Sequence, residues 1–299
     1  MNIRKNRLKI VLGGIAVCMC MACGGSDTKD YWGDTSNGGK EEPTENPNAS
    51  KPRYIWIDAA ANFPDFANSK ENIARDLALA KDAGFTDIVV DVRPTTGDVL
   101  FKTNIVDQVK FMYAWIGSNY TKVERTATWD YLQAFVDEAR KQGLRIHAAI
   151  NTFVGGNQID GGTGLLYRDQ SKAEWATQMN MQTGIVSVMN TSESTKFFNP
   201  AHPEVQTFLC DLLKDLASYD LDGIFLDRGR FLNLQTDFSE ESRKQFEEYM
   251  GGIRIQNYPD DILLPGASSL PATYPKYLTK WLEFRAKVIY DFMQKARTA

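Results

Sequence analysis

The chain has 299 residues, 43% of them hydrophobic, with 34 Lys and Arg against 38 Asp and Glu. The first 22 residues hold four of the basic residues (Arg4, Lys5, Arg7, Lys9) and no acidic one, so the rest carries 30 basic against 38 acidic, a net charge of −8, which argues against nucleic acid or an anionic membrane face as partner. Of the four cysteines only Cys210 lies beyond residue 23, which excludes an intrachain disulfide or a metal–thiolate cluster in the folded part.

Residues 1–22 read as a secretory signal: the basic cluster precedes an apolar run, Ile10 to Met21, too short for a stable membrane span. Met21-Ala22-Cys23-Gly24 follows and resembles a bacterial lipobox, with an unusual Cys20 at its third position back. Cys18 and Cys20 follow bulky Val17 and Met19, so Cys23 is the expected lipid acceptor. The expected location is the bacterial cell envelope, with the chain held by palmitate-type acylation at the outer membrane and its facing left open. An ordinary secretory signal is the alternative and also exports the chain. Residues 23–52, rich in Gly, Ser, Asn, Asp, Glu and Pro, read as a disordered tether, which leaves 53–299 as one domain with room for a large core.

Within that domain Tyr54 to Asp58 is a short strand, and Ser69 caps a helix from Lys70 to Ala83 with Ile73, Leu77 and Ala80 on one face and Gly84 at its end. Phe85 to Arg93 is a buried strand stopped by Pro94. After an insertion, Thr95 to Thr126, Thr128 caps a helix from Trp129 to Gln142 closed by Gly143, and Leu144 to Ile150 is the third strand. Asn151 to Gly164, with five glycines, has no phosphate-loop spacing and reads as a mobile loop beside a site. Ile185 to Met189 is a small strand in an excursion. His202 or Ala201 caps a helix with Pro203 at its first position, Cys210 being a buried apolar residue within it. Gly223 to Asp227 is the fourth core strand, followed by a polar helix from Glu240 to Met250 and a last helix from Tyr277 to Arg297.

Strand followed by helix, four times over, is the pattern of a parallel sheet covered by helices. Loops enlarged after the strands point to an α/β fold of the TIM-type (β/α) barrel class with its site at the C-terminal face. A doubly wound sheet is the alternative, but no nucleotide fingerprint follows the first strand.

Three segments carry a family resemblance: Ile88 to Pro94 with Gly97-Asp98 and Leu100-Phe101; Gly143 to Asn151; and Asn199 to Val205 with Asp222 to Asp227. Together they resemble the glycosyl-hydrolase-like family ten proteins, bacterial (β/α) barrels distantly related to the amylase group. Ala149 stands where that family has Trp in a GxxxHAWxN pattern, and Asp227 is followed by Arg228-Gly229-Arg230 where the family has Asp-Asp-Tyr. The resemblance implies a barrel that continues past the last helix, so an incomplete barrel of four to five βα units with its later strands missing is expected over 53–299.

Strand parity places Asp91 with Arg93, His147 with Asn151, Phe225 with Asp227, and Trp56 with Asp58. If these faces point inward, the open end gathers Asp58, Arg93, Asn151 and Asp227. Asp227 is then the candidate catalytic carboxylate, toward an anomeric carbon or an oxocarbenium-like transition state, kept ionised by Arg93. Arg93, Asn151, Trp56, Asp58 and Arg228 are candidate substrate-binding groups. Blander roles stand beside these: Asp58 as a loop cap, Arg93 as the partner of Asp91, His147 as a hydrogen-bonded core residue, His202 as a helix cap, and Arg228 with Arg230 as neutralisers of Asp227. Two histidines far apart make no metal site, and no cofactor is expected. No second carboxylate stands out.

The expectation is therefore an exported, lipid-anchored glycoside-hydrolase-like protein that hydrolyses O-glycosidic bonds of a polysaccharide or cell-wall glycan, its partners being carbohydrate and, through Cys23, the membrane. The alternatives are a glycan-binding lipoprotein without activity, or an inactive truncated hydrolase.

Overall fold

The computed structural model describes residues 51–299. The signal 1–22, the lipid acceptor Cys23 and the tether up to residue 50 lie outside the described residues.

Strand β1 (Tyr54–Ile57) leads through the single-turn helix α1 (Phe63–Phe66) to α2 (Lys70–Asp82) and β2 (Asp87–Arg93). The insertion after β2 contains a hairpin, β3 (Phe111–Ile116) and β4 (Asn119–Glu124), and is followed by α3 (Tyr131–Gln142) and β5 (Arg145–Asn151). The excursion after β5 folds as β6 (Val154–Asn157), α4 (Leu165–Arg168), β7 (Gln178–Met181), β8 (Gly184–Ser187) and β9 (Thr195–Phe197). Then come α5 (Pro203–Ala217), β10 (Gly223–Asp227), α6 (Glu240–Tyr249) and α7 (Leu278–Thr298).

Local chemistry sets most of these boundaries. The Ser69 hydroxyl accepts from the Asn72 N–H at 3.1 Å and starts α2. Gly143 ends α3 in the left-handed region at φ 65°, which glycine reaches without strain. Helix α3 starts later than expected: Asp130, not Thr128, is its cap, accepting from the Gln133 N–H at 3.1 Å. Pro203 opens α5 after His202, whose side chain makes no capping bond.

Strands β1, β2, β5 and β10 pair in parallel in that order. One face of this sheet carries Ile57, Ile88, Val90, Ile146, Ala148 and Ile150 and packs on Leu77 of α2, Phe135 of α3 and Leu209 of α5 in a continuous core. Full burial of one such aliphatic side chain stabilises the fold by about 1.5–3 kcal/mol. The end of α7 joins this core, with Phe292 and Phe153 ring centroids 4.9 Å apart. A second apolar cluster ties α6 and the start of α7 to the loops around Phe238 and Ile262, centred on Trp281.

The α/β class is present, as four parallel strands with their helices, in keeping with the four to five units expected, and no closed barrel forms: among the described residues the sheet stays open at β1 and β10. Closing a (β/α) barrel takes eight strands. On the opposite face Tyr54, Trp56 and Phe225 of the two outer strands are respectively 47%, 46% and 37% exposed, while Val89 and Ala149 between them are buried.

The expected mobile glycine loop is instead close-packed, because β6 pairs antiparallel with β9. A Cβ on Gly156 would lie 2.3 Å from the Thr163 carbonyl oxygen, and one on Gly164, at φ +83°, would lie 2.5 Å from that of Gly155. These glycines permit backbone to pass against backbone. Cys210 is half-buried on α5, and burial pushes its thiol up.

Candidate active site

The C-terminal ends of the four strands surround a cavity of about 180 Å³ whose lining includes Trp56, Asp58, Asp91, Asn151, Asp227 and Arg228. Register explains the convergence. Asp227 sits level with Asn151 on the neighbouring strand. Asp91 pairs with Ala149, which in turn pairs with Phe225. Asp91 therefore lies one inward-facing position deeper than Asp227, two strands away, on the floor of the cleft.

The sequence-derived site residues divide. Asp227, at the exposed end of β10, accepts a hydrogen bond from the Arg228 N–H at 2.7 Å, and its carbonyl accepts from the Thr152 N–H at 2.8 Å. Arg228 adopts φ +48°, an unusual conformation for a residue with a side chain, and lines the cavity. Arg230 turns away, donating to the carbonyls of Phe231 and Leu232. Trp56 forms a wall, its ring edge-on to Phe225 at 5.6 Å. Asn151 is buried and donates to the Arg93 carbonyl at 2.9 Å. Asp58 makes the loop cap that was the blander expectation for it. It caps the loop, accepting from the Ala60 and Ala61 N–H groups at 2.8 and 2.7 Å, and it also lines the cavity.

Arg93 does not reach the cleft. The register shifts between Asp91 and Arg93, a bulge that breaks the simple alternation, and the Arg93 N–H bonds the Asp91 carboxylate at 3.2 Å. The Arg93 side chain is fully buried and donates to the carbonyls of Asn151, Thr152 and Val154. It holds the loop after β5 rather than a substrate, and the charges that act on it are those of Asp98 and Asp91.

Asp91, on the cleft floor, is a site group that is absent from the sequence-based candidates. Burial raises its pKa to about 7, helped by the charges of Asp58 and Asp227 and opposed by backbone hydrogen bonds. A buried carboxyl whose pKa is raised to about 7 can donate a proton near neutral pH. The available signal was an ionisable residue inside a fully buried strand, sharing its face with Trp56 and Asp227.

His147 belongs to the framework. It bonds the buried Asp87 at 2.8 Å, and Arg145 grips the same carboxylate at 2.7 and 2.8 Å. Burial acts to raise the pKa of Asp87, but these bonds and one from Thr86 prevail and bring it to about 2. Among the described residues no cluster of three or more His, Cys, Asp or Glu is arranged to hold a metal ion.

Solved structures share this architecture. The chain matches alpha-L-fucosidase isoenzyme 2 from Paenibacillus thiaminolyticus with a TM-score of 0.51 and 16% identity, over 83% of this chain and 30% of that one. A GH36 alpha-galactosidase from Geobacillus stearothermophilus gives a TM-score of 0.44 at 15% identity, over 84% and 26% of the two chains. The parallel strands and the helices that cover one of their faces define an α/β protein. The chain belongs to the glycosyl hydrolase-like 10 family, whose model matches residues 51–299. It is also 31% identical over 251 residues to an S-layer-related protein from Niallia circulans, a match covering 81% of this chain but spanning only 15% of that protein.

Proposed function

We propose that the chain hydrolyses O-glycosidic bonds of a polysaccharide or cell-wall glycan, with Asp227 as the catalytic carboxylate and Asp91 as the proton donor. The observation that carries this reading is the presence of both carboxyl groups in one cleft, one buried with its pKa raised to about 7 and the other at the solvent-facing strand end. In this mechanism Asp91 protonates the leaving glycosidic oxygen as the C–O bond breaks. Asp227 meets the positive charge that develops at the anomeric carbon, and water adds there as the hydroxyl of the product, its other proton passing to the Asp91 carboxylate and restoring the acid. In this reading Trp56 offers an apolar ring to a sugar face, while Arg228, Asn151 and the rim at Asp58 meet hydroxyl groups.

The test is hydrolysis of a panel of polysaccharides and cell-wall glycans by wild type and Asp227→Asn. Turnover by the wild type, reduced at least about a hundredfold in the variant, is expected; equal turnover by the two proteins would refute the role of Asp227. A second reading, glycan binding without cleavage, is favoured by the exposed rings of Tyr54, Trp56 and Phe225, and binding without wild-type turnover would select it. Export and lipid anchoring at Cys23, at the outer membrane, are part of the proposal and rest on the sequence of residues 1–24. Palmitate labelling lost in Cys23→Ala is the expected outcome, and labelling that persists would contradict it.

A further inference from the structure

Beside the acidic cleft lies a second cavity of about 340 Å³, and the two share Ala60, Thr95 and Met112 in their walls. One side of this cavity is built by the β3–β4 hairpin through Phe111, Tyr113 and Tyr120. The cross-strand pairs Phe111 with Glu124, Tyr113 with Lys122, and Trp115 with Tyr120 put these side chains on one face of the hairpin. The rings form a continuous series: Phe111 to Tyr113 at 6.2 Å, Tyr113 to Tyr120 at 5.3 Å and only 30° from parallel, Tyr120 to Trp115 at 5.3 Å. Trp115 is 68% exposed and Tyr120 55% exposed. Large rings left in water at a hairpin tip mark a binding surface more often than a packing one.

The opposite hairpin face anchors it, with Met112 and Ala114 buried. Tyr113 donates to Asp160 at 2.8 Å, Lys122 pairs with the same carboxylate at 2.6 Å, and the Lys122 ammonium lies 3.9 Å from the Phe111 ring centroid. The rings are therefore held before any ligand arrives, which lowers the ordering cost of binding. The wall across from them presents Asn157, Gln158 and Ser194, and no acidic or basic side chain lines the cavity. Flat apolar rings facing neutral amides and hydroxyls suit an uncharged ligand with apolar faces and hydroxyl edges. That chemistry is a pyranose, and it disfavours an anionic nucleotide or an acidic peptide.

We propose that the β3–β4 hairpin is a stacking platform for neutral sugar units of a glycan chain, extending the acidic cleft so that units remote from the reacting bond are held by Tyr113, Tyr120 and Trp115. This inference rests on the reading of the acidic cleft as a glycan site.

Binding is measured in the Asp227→Asn background, so that it does not depend on turnover. The probes are galactomannan, xyloglucan and mixed-linkage glucan in affinity electrophoresis of the full chain. Retardation by at least one of them is expected, with Trp115→Ala and Tyr120→Ala each weakening it about tenfold and Trp115→Phe staying within about threefold of its parent. Thermal melts unchanged between these variants tie the loss to the surface rather than to folding. Affinities that do not change in either alanine variant, or no retardation by any probe, would overturn the platform. So would a change confined to self-association in sedimentation, which would make the face a contact between copies of the chain. Failure of the hydrolase reading alone would show as retained ring-dependent binding without wild-type turnover.

Discussion

The carboxyl of Asp91 lies on the cleft floor within the fields of Asp58 and Asp227, and burial is the largest cause of its rise from the ordinary 3.8 to about 7. The native state therefore holds a proton that the unfolded chain releases between those limits. The stability contributed by this group is complete below about pH 4 and is lost as the pH rises through about 7. At about 1.4 kcal/mol per pH unit, the span sets an upper bound of about 4 kcal/mol. Asp91→Asn carries no such proton, so urea unfolding is expected to show it gaining stability relative to wild type between pH 5 and pH 8. A difference between the two proteins that stays constant with pH would contradict the shifted pKa. At this scale the sequence was a partial guide. Trp56, Asn151 and Asp227 were legible because alternation along a strand is a local property. Arg93 was misread because one bulge reversed its direction, and Asp91 was missed because burial and neighbouring charge come from other strands.

The elements show the same division between local and distant causes. The four core strands and the helices after them were legible within a few residues, since Ser69, Gly143 and Pro203 act through their own backbone neighbours. The β3–β4 hairpin lies within the insertion after β2, where the alternation of Phe111, Tyr113 and Trp115 before a Gly117-Ser118 turn, with Gly117 at φ +66°, carries a hairpin signal. The glycine-rich stretch misled in the other direction. Five glycines read as freedom, but Gly156 and Gly164 are there because other backbone lies within van der Waals reach. Gly156→Ala is accordingly expected to cost about 2 kcal/mol or more, since the obstacle is the Thr163 carbonyl and not a movable side chain. Gly161→Ala meets no atom within 4 Å, so its cost comes from its positive φ alone, on the order of 1 kcal/mol. Chemical denaturation measures both, and equal losses would contradict the packing account.

For the molecule as a whole, repeated strand–helix order identified the parallel sheet, while its closure is a property that no local pattern carries. The four strands face their helices on one side and leave Tyr54, Trp56 and Phe225 bare on the other. That side rises at its C-terminal edge into the acidic cleft, whose wall is shared with the cavity of the aromatic hairpin, so candidate chemistry and candidate glycan contacts adjoin. The proposed mechanism divides the labour between Asp91 and Asp227. Its most direct test compares wild type, Asp91→Asn and Asp227→Asn on a glycan that the wild type cleaves and on an aryl glycoside of the same sugar with a dinitrophenolate leaving group, which departs without protonation. Asp91→Asn is expected to lose about a hundredfold or more on the glycan and little on the aryl glycoside, because only the first needs a proton donor. Asp227→Asn is expected to lose activity on both, and equal losses for Asp91→Asn on the two substrates would contradict its assignment as the acid.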